Sequence, residues 1–258
     1  MEHARITGIR LIGSLCALFA YVVSLGQEVQ VDTLRNEHQR VVSIHRYDGA
    51  DTWSHLWYYR SGELQQKRVE LEKEDGLVTW DTTWNKDGTL NEAHYNAGER
   101  WIGTDYDERG ILESTTAYGD RGGAEYNFVT LYYPTGVVRE RYFERVEGKG
   151  IVGVAKFDSL RTLYREDGTL MHELRYASGA LHGVSTDYYP SGAVESVQLY
   201  AQGRLMEVRY FDAEGRELSI GDFVNGNGML AIYEQGVQVS VCRFKNGHPV
   251  KRSCKCLD

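Results

Sequence analysis

Three cysteines close to the C-terminus, Cys242, Cys254 and Cys256, are the first residues whose type and spacing could support chemistry. A Cys-x-Cys pair alone lacks the two paired ligand sets of a structural zinc site. Because the number is odd, at most one internal disulfide can form. We expect Cys242 to bond to one of the other two cysteines and to pin the chain end; a metal site or an intermolecular disulfide is the alternative.

Residues 148–153 read GKGIVG and match the glycine pattern G-x-G-x-x-G of dinucleotide-binding proteins. That pattern binds a pyrophosphate only where a strand leads into a helix, and no helix is predicted after Gly153. A glycine-rich repeat produces such strings by chance. The phosphate-binding G-x-x-x-x-G-K-[ST] and zinc-binding H-E-x-x-H motifs do not occur in the chain. We therefore predict no cofactor and no metal ion.

The histidines and carboxylates give little indication of catalysis. His172 shares its strand parity with Leu170 and Leu174, so a packed ring is expected rather than a catalytic base. Two acidic groups could supply the paired carboxylates of glycoside hydrolysis, although a solvated polar face explains them equally well. They are Glu70, Glu72, Glu74 and Asp75, and Asp105, Asp107 and Glu108. The sequence thus favours a non-catalytic protein over a hydrolase.

The composition indicates many short strands and excludes some partners. Lys and Arg total 29 against 37 Asp and Glu, a net charge of −8 over 258 residues, so nucleic acid and anionic membranes are not expected partners. The counts of Gly 28, Tyr 18 and Pro 3 are typical of strands joined by tight turns.

The N-terminus is typical of a secretory signal peptide. Arg5 and Arg10 precede an uncharged run over residues 11–26, which ends in the small-x-small triplet Ser24-Leu25-Gly26. The run is shorter than the roughly 20 residues that cross a bilayer, which disfavours an uncleaved anchor. We predict cleavage near Gly26 and a secreted, periplasmic or cell-envelope location, where cysteines can be oxidised.

A repeat built on turn glycines must position any functional residue. An aromatic residue stands four positions before each of these glycines except Gly236, which has Ile232. Successive glycines from Gly168 are 24, 23 and 21 residues apart, and a second glycine follows eleven residues after each, so one repeat is one β-hairpin. The turn glycines are Gly62, Gly88, Gly110, Gly136, Gly168, Gly192, Gly215 and Gly236.

These hairpins predict an all-β fold, an elongated and twisted antiparallel meander that forms a single-layer sheet. Outside residues 1–26, no window has the apolar periodicity of a helix. We expect an irregular N-terminal cap with a first weak repeat over residues 27–75, hairpin repeats over 76–250 and a tail over 251–258. The longer spacing between Gly136 and Gly168 predicts a long loop or an extended hairpin.

Residues Tyr176 to Val194, YASGALHGVSTDYYPSGAV, resemble the MORN repeat variant. The pattern is an aromatic residue, a turn glycine, a second glycine four residues on, and a Tyr-rich strand before another turn glycine. The resemblance extends over roughly residues 56–250 and implies a surface-building repeat rather than a reaction site. The exported chain is similar to the YwqK-type group of antitoxins, which implies that it binds and neutralises another protein.

Adjacent tyrosines suggest where a partner would bind. Neighbouring residues on a strand point to opposite faces, so if Tyr58, Tyr132 and Tyr188 pack inward, then Tyr59, Tyr133 and Tyr189 line the other face. We expect these three side chains to contact a protein partner, with a cell-envelope glycan as the alternative. A role at a membrane surface fits the negative net charge poorly, although it could use a local basic patch such as Lys245, Lys251, Arg252 and Lys255.

Overall fold

The computed structural model describes residues 17–24, 27–47, 51–74, 76–98, 100–120, 123–147 and 154–256. Over these ranges every regular element is a β-strand, so the all-β prediction is confirmed, and no helix there is long and apolar enough to span a membrane. The chain divides into two compact units, Met1–Gly119 and Asp120–Asp258, where the sequence had not required a second domain.

The first unit is an antiparallel meander in which each strand pairs with the next one along the chain. Among its residues with described side chains, only Ser43, Val78 and Gly103 are buried, as expected for a sheet with solvent on both faces. The strands are β1 (Ala17–Ser24), β2 (Gln27–Arg35), β3 (Val41–Tyr47), β4 (Thr52–Tyr58), β5 (Leu64–Lys73), β6 (Gly76–Trp84), β7 (Leu90–Ala97), β8 (Arg100–Tyr106) and β9 (Leu112–Asp120).

The N-terminal part of this unit is more regular than expected. Residues 27–75 were predicted to form an irregular cap, but β2 to β5 are ordinary paired strands. The first turn has the same backbone hydrogen bonds as the later ones, with Gln39 at φ 62° in the position of the turn glycine. The glycine pattern did not predict this turn, because Gln39 adopts the left-handed conformation in place of glycine.

The predicted signal peptide lies only partly within the described residues. The structure places Ala17–Ser24 in β1, antiparallel to β2, whereas residues 1–16 and the expected cleavage site at Gly26 lie outside the described ranges. Export of the chain therefore stays a prediction.

The second unit contains a meander followed by a smaller antiparallel sheet. The extended hairpin predicted after Gly136 is formed by β11 and β12, whose connection, with the GKGIVG string, lies outside the described residues. The meander strands are β10 (Glu125–Tyr132), β11 (Val138–Glu147), β12 (Val154–Tyr164), β13 (Leu170–Ala177), β14 (Ala180–Leu181), β15 (Gly183–Tyr188), β16 (Val194–Ala201), β17 (Arg204–Phe211) and β18 (Glu217–Leu218). The smaller sheet contains β19 (Gly228–Glu234), β20 (Val237–Lys245), β21 (His248–Pro249) and β22 (Lys255–Cys256).

In both units, about every second connection between consecutive meander strands is a five-residue turn. In each, the N–H of the first residue donates to the carbonyl four residues later, and the fourth-position N–H donates back to the first carbonyl. This is a type I turn closed by a left-handed residue, and it explains the recurring glycine. The first residues of these turns are Asn36, Tyr59, Asn85, Asp107, Tyr133, Arg165, Tyr189 and Asp212.

Two-residue turns with positive φ at both positions form the second kind of connection. The turn at Gln235 and Gly236 is of this kind, with φ values of 50° and 75°, which explains why Gly236 lacks the preceding aromatic residue. The hairpin repeats were predicted to extend to residue 250, but β19 begins a separate sheet, so the repeats in the larger sheet end before it. The other such turns are Ser178 and Gly179, Gln202 and Gly203, Asn225 and Gly226, and Asn246 and Gly247.

The main hydrophobic core lies in the second unit, where the small sheet covers the last strands of the meander. Leu230 is 1% exposed and packs with Val208 and Phe223, which are 3% and 4% exposed. Backbone hydrogen bonds from Gly226 N to Met206 O and from Leu205 N to Gly247 O join the two sheets. The small sheet thus caps this end of the repeat array and protects its last apolar residues from water.

Candidate binding faces and clamps

The tyrosines proposed as partner contacts are structural clamps between turns. Each is the first residue of a five-residue turn, and its hydroxyl donates to the carbonyl oxygen that immediately precedes a neighbouring turn of the same unit. The bonds are Tyr59 to Trp84 at 2.9 Å, Tyr133 to Tyr164 at 2.9 Å and Tyr189 to Phe211 at 2.7 Å.

The expectation that all three side chains are exposed is wrong for Tyr189, which is 4% exposed, whereas Tyr59 and Tyr133 are half-buried. The strand register shifts by one residue between Asp187 and Tyr188, and Tyr189 lies in the turn beyond it, so strict alternation of faces does not reach this position. Burial raises the pKa of Tyr189 above its ordinary value, and nearby carboxylates add to the rise. A partner contact at these tyrosines stays an untested prediction.

Two arginines also link neighbouring turns through side-chain hydrogen bonds to backbone carbonyls, and the sequence did not predict them. Arg165 starts the turn after the Tyr133 turn, and its guanidinium donates to the carbonyls of Leu170 at 2.8 Å and of Tyr188. In the first unit Arg40 donates to Arg60 O at 3.1 Å. Each clamp ties one turn to the next within its unit, so the turns are stabilised as a row rather than singly.

The C-terminal cysteines behave as the favoured interpretation predicts. Cys242 forms a disulfide with Cys254, and Cys256 is an exposed free thiol. Cys242 is 2% exposed, so the bond ties the tail to the covered side of β20. The alternatives of a zinc site or an intermolecular bond through Cys242 are not needed to explain the pair.

His172 makes a polar contact instead of packing as an apolar ring. Its Nδ1 lies 2.5 Å from Asp187, and Asp187 also accepts hydrogen bonds from Ser196 at 2.6 Å and from Gln198 at 2.8 Å. The parity argument did not identify this partner, because Asp187 is opposite His172 only once β13 and β15 pair. Ser196 and His172 both bind the carboxylate, so this cluster does not have the serine-to-histidine bond of an activated nucleophile.

The acidic residues considered for glycoside hydrolysis have local partners. Asp105 accepts a hydrogen bond from Ser114 at 2.5 Å. Asp107 accepts from the backbone N–H groups of Arg109 and Ile111, and the Ile111 bond contributes most to holding its pKa below the ordinary value. A general acid needs a raised pKa, and the pKa of Asp107 is shifted the other way by the contacts of a turn cap. Asp75 lies outside the described residues.

The strand registers give the first unit two chemically different faces. Directly paired residues project to the same side of a sheet, and neighbours along a strand alternate. Following the pairs from β2 to β7 gives one row that contains Asp32, His45, His55, Arg68, Asp81 and His94. We call the side that carries this row the acidic face; its carboxylates include Asp32, Glu70, Glu72, Asp81, Glu92 and Asp105.

The acidic face is held together by cross-strand polar contacts. The Nδ1 atoms of His45 and His55 are 2.6 Å apart, so one ring must donate and the other accept. Burial lowers the pKa of His45, His55 lowers it further, and the nearby Asp32 partly opposes both effects. Arg68 Nε donates to Asp81 at 2.7 Å. Among the described residues, no group of three His, Cys, Asp or Glu side chains is arranged to hold a metal ion.

An aromatic ladder runs along β4 on the acidic face. The rings of Trp53 and His55 are parallel within 9° with centroids 6.2 Å apart, and those of His55 and Trp57 are 5.8 Å apart. Tyr47 adds a fourth ring, 4.7 Å from Trp53. Trp53 is directly opposite Glu70 on β5 and is 38% exposed, so an exposed ring stands beside a carboxylate.

The opposite side, which we call the basic face, combines cations with an exposed apolar row. Val69, Trp80, Tyr95 and Ile102 are successive cross-strand partners; Trp80 is 40% and Ile102 44% exposed, and the Trp80 and Tyr95 rings are 5.5 Å apart. Its strands carry one carboxylate, Glu113, and the cations Arg46, Lys67, Lys73 and Arg100. A groove of about 520 Å³ is lined by Lys73, Gly76, Leu77, Val78, Tyr95, Ala97, Gly98 and Arg100.

The folds of both units define an antiparallel β-hairpin repeat protein. Residues 181–202 match the family model of the MORN repeat variant, and this segment forms the end of β14, β15, the clamp turn at Tyr189 and β16. The chain therefore contains a MORN-variant repeat, as the resemblance predicted. No curated protein matches the chain.

Proposed function

We propose that this chain is a non-catalytic module that binds another protein through the basic face of its first unit. The observation that carries the proposal is the apolar row of Val69, Trp80, Tyr95 and Ile102, which is exposed at Trp80 and Ile102. Exposed aromatic and aliphatic groups in one contiguous row, with charged groups at the rim, are typical of protein-binding surfaces.

The charges around the row indicate the chemistry of the partner. Lys67, Lys73 and Arg100 are all exposed on the same face. Such a rim steers an acidic partner and disfavours a basic one, whereas the buried aromatic contacts provide most of the binding free energy. The partner we propose therefore has an acidic surface around an apolar patch. An antitoxin-like or immunity-like role would be one form of this function, and export would place the complex outside the cytoplasm.

The experiment compares crosslinking from two exposed apolar positions in the native host. A photoreactive residue replaces Trp80 on the basic face or, as the matched control, Val184, which is 46% exposed in the second unit. We expect a defined protein to crosslink from position 80 and not from position 184. Its purified form should bind the wild type about tenfold or more tightly than Trp80→Ser, the effect of losing a central aromatic contact. Equal crosslinking from both positions, or unchanged affinity of Trp80→Ser, would refute the proposal.

A glycan is the second candidate ligand, and the aromatic ladder of the acidic face favours it. Exposed indole rings next to carboxylates, as at Trp53 and Glu70, suit stacking on a sugar ring with hydrogen bonds to its hydroxyls. Retention on purified cell-wall polysaccharide, lost in Trp53→Ala and kept in Trp80→Ser, would support this function in place of the first.

A further inference from the structure

We infer that the acidic face of the first unit receives the C-terminal segment of a second copy of this chain. The segment, residues 242–256, is called here the cationic lobe. It contains no Asp or Glu, although the whole chain has a net charge of −8. Its cations are Arg243, Lys245, Lys251, Arg252 and Lys255, all of them exposed.

The cationic lobe is a folded element and not a loose tail. The disulfide between Cys242 and Cys254 closes it, and β21 and β22 both pair with β20. Ser253 Oγ lies 3.1 Å from Arg243 N and 2.7 Å from Val250 O, which fixes the turn between the two short strands. Because its backbone is held in place, the lobe presents its cations at a lower entropy cost than a flexible segment would.

The acidic face offers the matching chemistry. Carboxylates outnumber Lys and Arg side chains along this face, and Glu72 and Asp105 are exposed. Trp53 places an exposed ring beside Glu70, and the half-buried ring of Tyr47 lies against Trp53. Guanidinium and ammonium groups bind both carboxylates and aromatic ring faces, so one surface can satisfy lysine and arginine side chains in two ways.

A second copy is the occupant that the observations favour, because each molecule carries both complementary surfaces. The cationic lobe belongs to the second unit and the acidic face to the first, so the contact joins different patches on the two copies. Such a head-to-tail contact does not need two-fold symmetry and can continue from copy to copy. Since the contributing charges are exposed, the association should be weak and should fall steeply with ionic strength.

Sedimentation of the whole purified protein tests this inference. We expect mass to rise with protein concentration in dilute buffer and to return to the monomer at about 0.5 M salt, where the Debye length is well under 10 Å. A sedimentation mass that stays at the monomer value at every protein concentration in dilute buffer would overturn it. Cys256→Ser removes the free thiol and should associate like the wild type, which excludes a disulfide-linked dimer.

A complementation experiment identifies the two surfaces. The lobe variant is Lys245→Glu, Lys251→Glu, Arg252→Glu, and the face variant is Glu72→Lys, Asp105→Lys; each alone should stay monomeric. Mixed one to one they should associate again, because the intact lobe of the face variant matches the intact acidic face of the lobe variant, and the two reversed surfaces also carry opposite charges. If the mixture stays monomeric, or if either variant alone associates like the wild type, the inference fails.

A matched charge reversal on the other side of the sheet is the control. Lys67→Glu, Lys73→Glu changes the basic face and should leave self-association unchanged, while the lobe variant should keep the proposed protein partner. These outcomes separate failure of this inference from failure of the proposed function. Glu72→Gln, Asp105→Asn is a milder face variant for use if the charge reversal impairs folding; it should weaken association at least several-fold.

Discussion

The hydroxyl of Tyr189 donates a 2.7 Å hydrogen bond to the carbonyl oxygen of Phe211, twenty-two residues further along the chain. Tyr189 begins one five-residue turn, and Phe211 immediately precedes the next, which begins at Asp212. A single side chain therefore fixes the spacing of two hairpins, and the same bond at Tyr59 and Tyr133 shows that this is a property of the repeat.

Tyr189→Phe tests the clamp with almost no change in shape. The variant leaves the Phe211 carbonyl without this partner, and because Tyr189 is 4% exposed, water replaces the bond poorly. We expect a loss of about 1 to 2 kcal/mol in the free energy of unfolding, measured by urea denaturation. The half-buried Tyr59→Phe is the control and should lose less. An equal loss in both variants would argue against burial as the cause.

Arg165→Met tests the arginine clamp. The variant keeps much of the apolar stem but removes the bonds to the carbonyls of Leu170 and Tyr188. We expect destabilisation of about 1 to 3 kcal/mol, because hydrogen bonds from a charged donor are stronger than neutral ones. Arg139→Met, at an exposed position of β11, is the matched control and should change stability by less than about 0.5 kcal/mol.

The paired rings of His45 and His55 predict a dependence of stability on pH. The pKa of His45 is lowered from 6.5 in the folded chain, mainly by burial, so the unfolded chain binds more protons on acidification. Stability from this site is fully present above about pH 6.5 and is lost as the pH falls through the lower folded value.

Urea denaturation between pH 7.5 and 5 should therefore show a fall in the free energy of unfolding that is shallower in His45→Gln. His38→Gln, at an exposed turn position, should keep the wild-type slope. A wild-type slope in His45→Gln would mean that other groups cause the acid sensitivity.

The disulfide predicts a reductant-dependent melting temperature. Cys242 and Cys254 are twelve residues apart, and closing a loop of this size stabilises a fold by about 3 kcal/mol. The double variant Cys242→Ser, Cys254→Ser should melt lower than the wild type and at the same temperature with and without reductant. Cys256→Ser should behave like the wild type in both conditions, since Cys256 is the exposed free thiol. Loss of the reductant effect in Cys256→Ser would mean that a different pair forms.

The predictions that succeeded from sequence depend on local chemistry. The glycine of each five-residue turn, such as Gly192, must adopt positive φ, so turn positions and hairpin spacing could be read directly. The prediction of an irregular cap over residues 27–75 was wrong, because Gln39 adopts the left-handed turn conformation without being glycine. A turn that has another residue in the glycine position cannot be recognised from the glycine pattern.

The candidate site was less predictable, because it depends on pairing between strands. Tyr189 was predicted to be exposed but is buried, since a register shift at Tyr188 interrupts the alternation that the prediction assumed. The exposed row of Trp80 and Ile102 joins residues far apart in sequence, which become neighbours only through the register of β6, β7 and β8.

The sequence by itself determined the all-β character of this protein, the turns that carry glycine and the hairpin period. These follow from backbone conformation and from contacts between near neighbours. Only the tertiary structure decided which tyrosine is buried, which cysteine bonds to Cys242, and how charges divide between the two faces of the first unit. Those outcomes depend on strand register and sheet packing, which are set by all the strands together and not by any one segment.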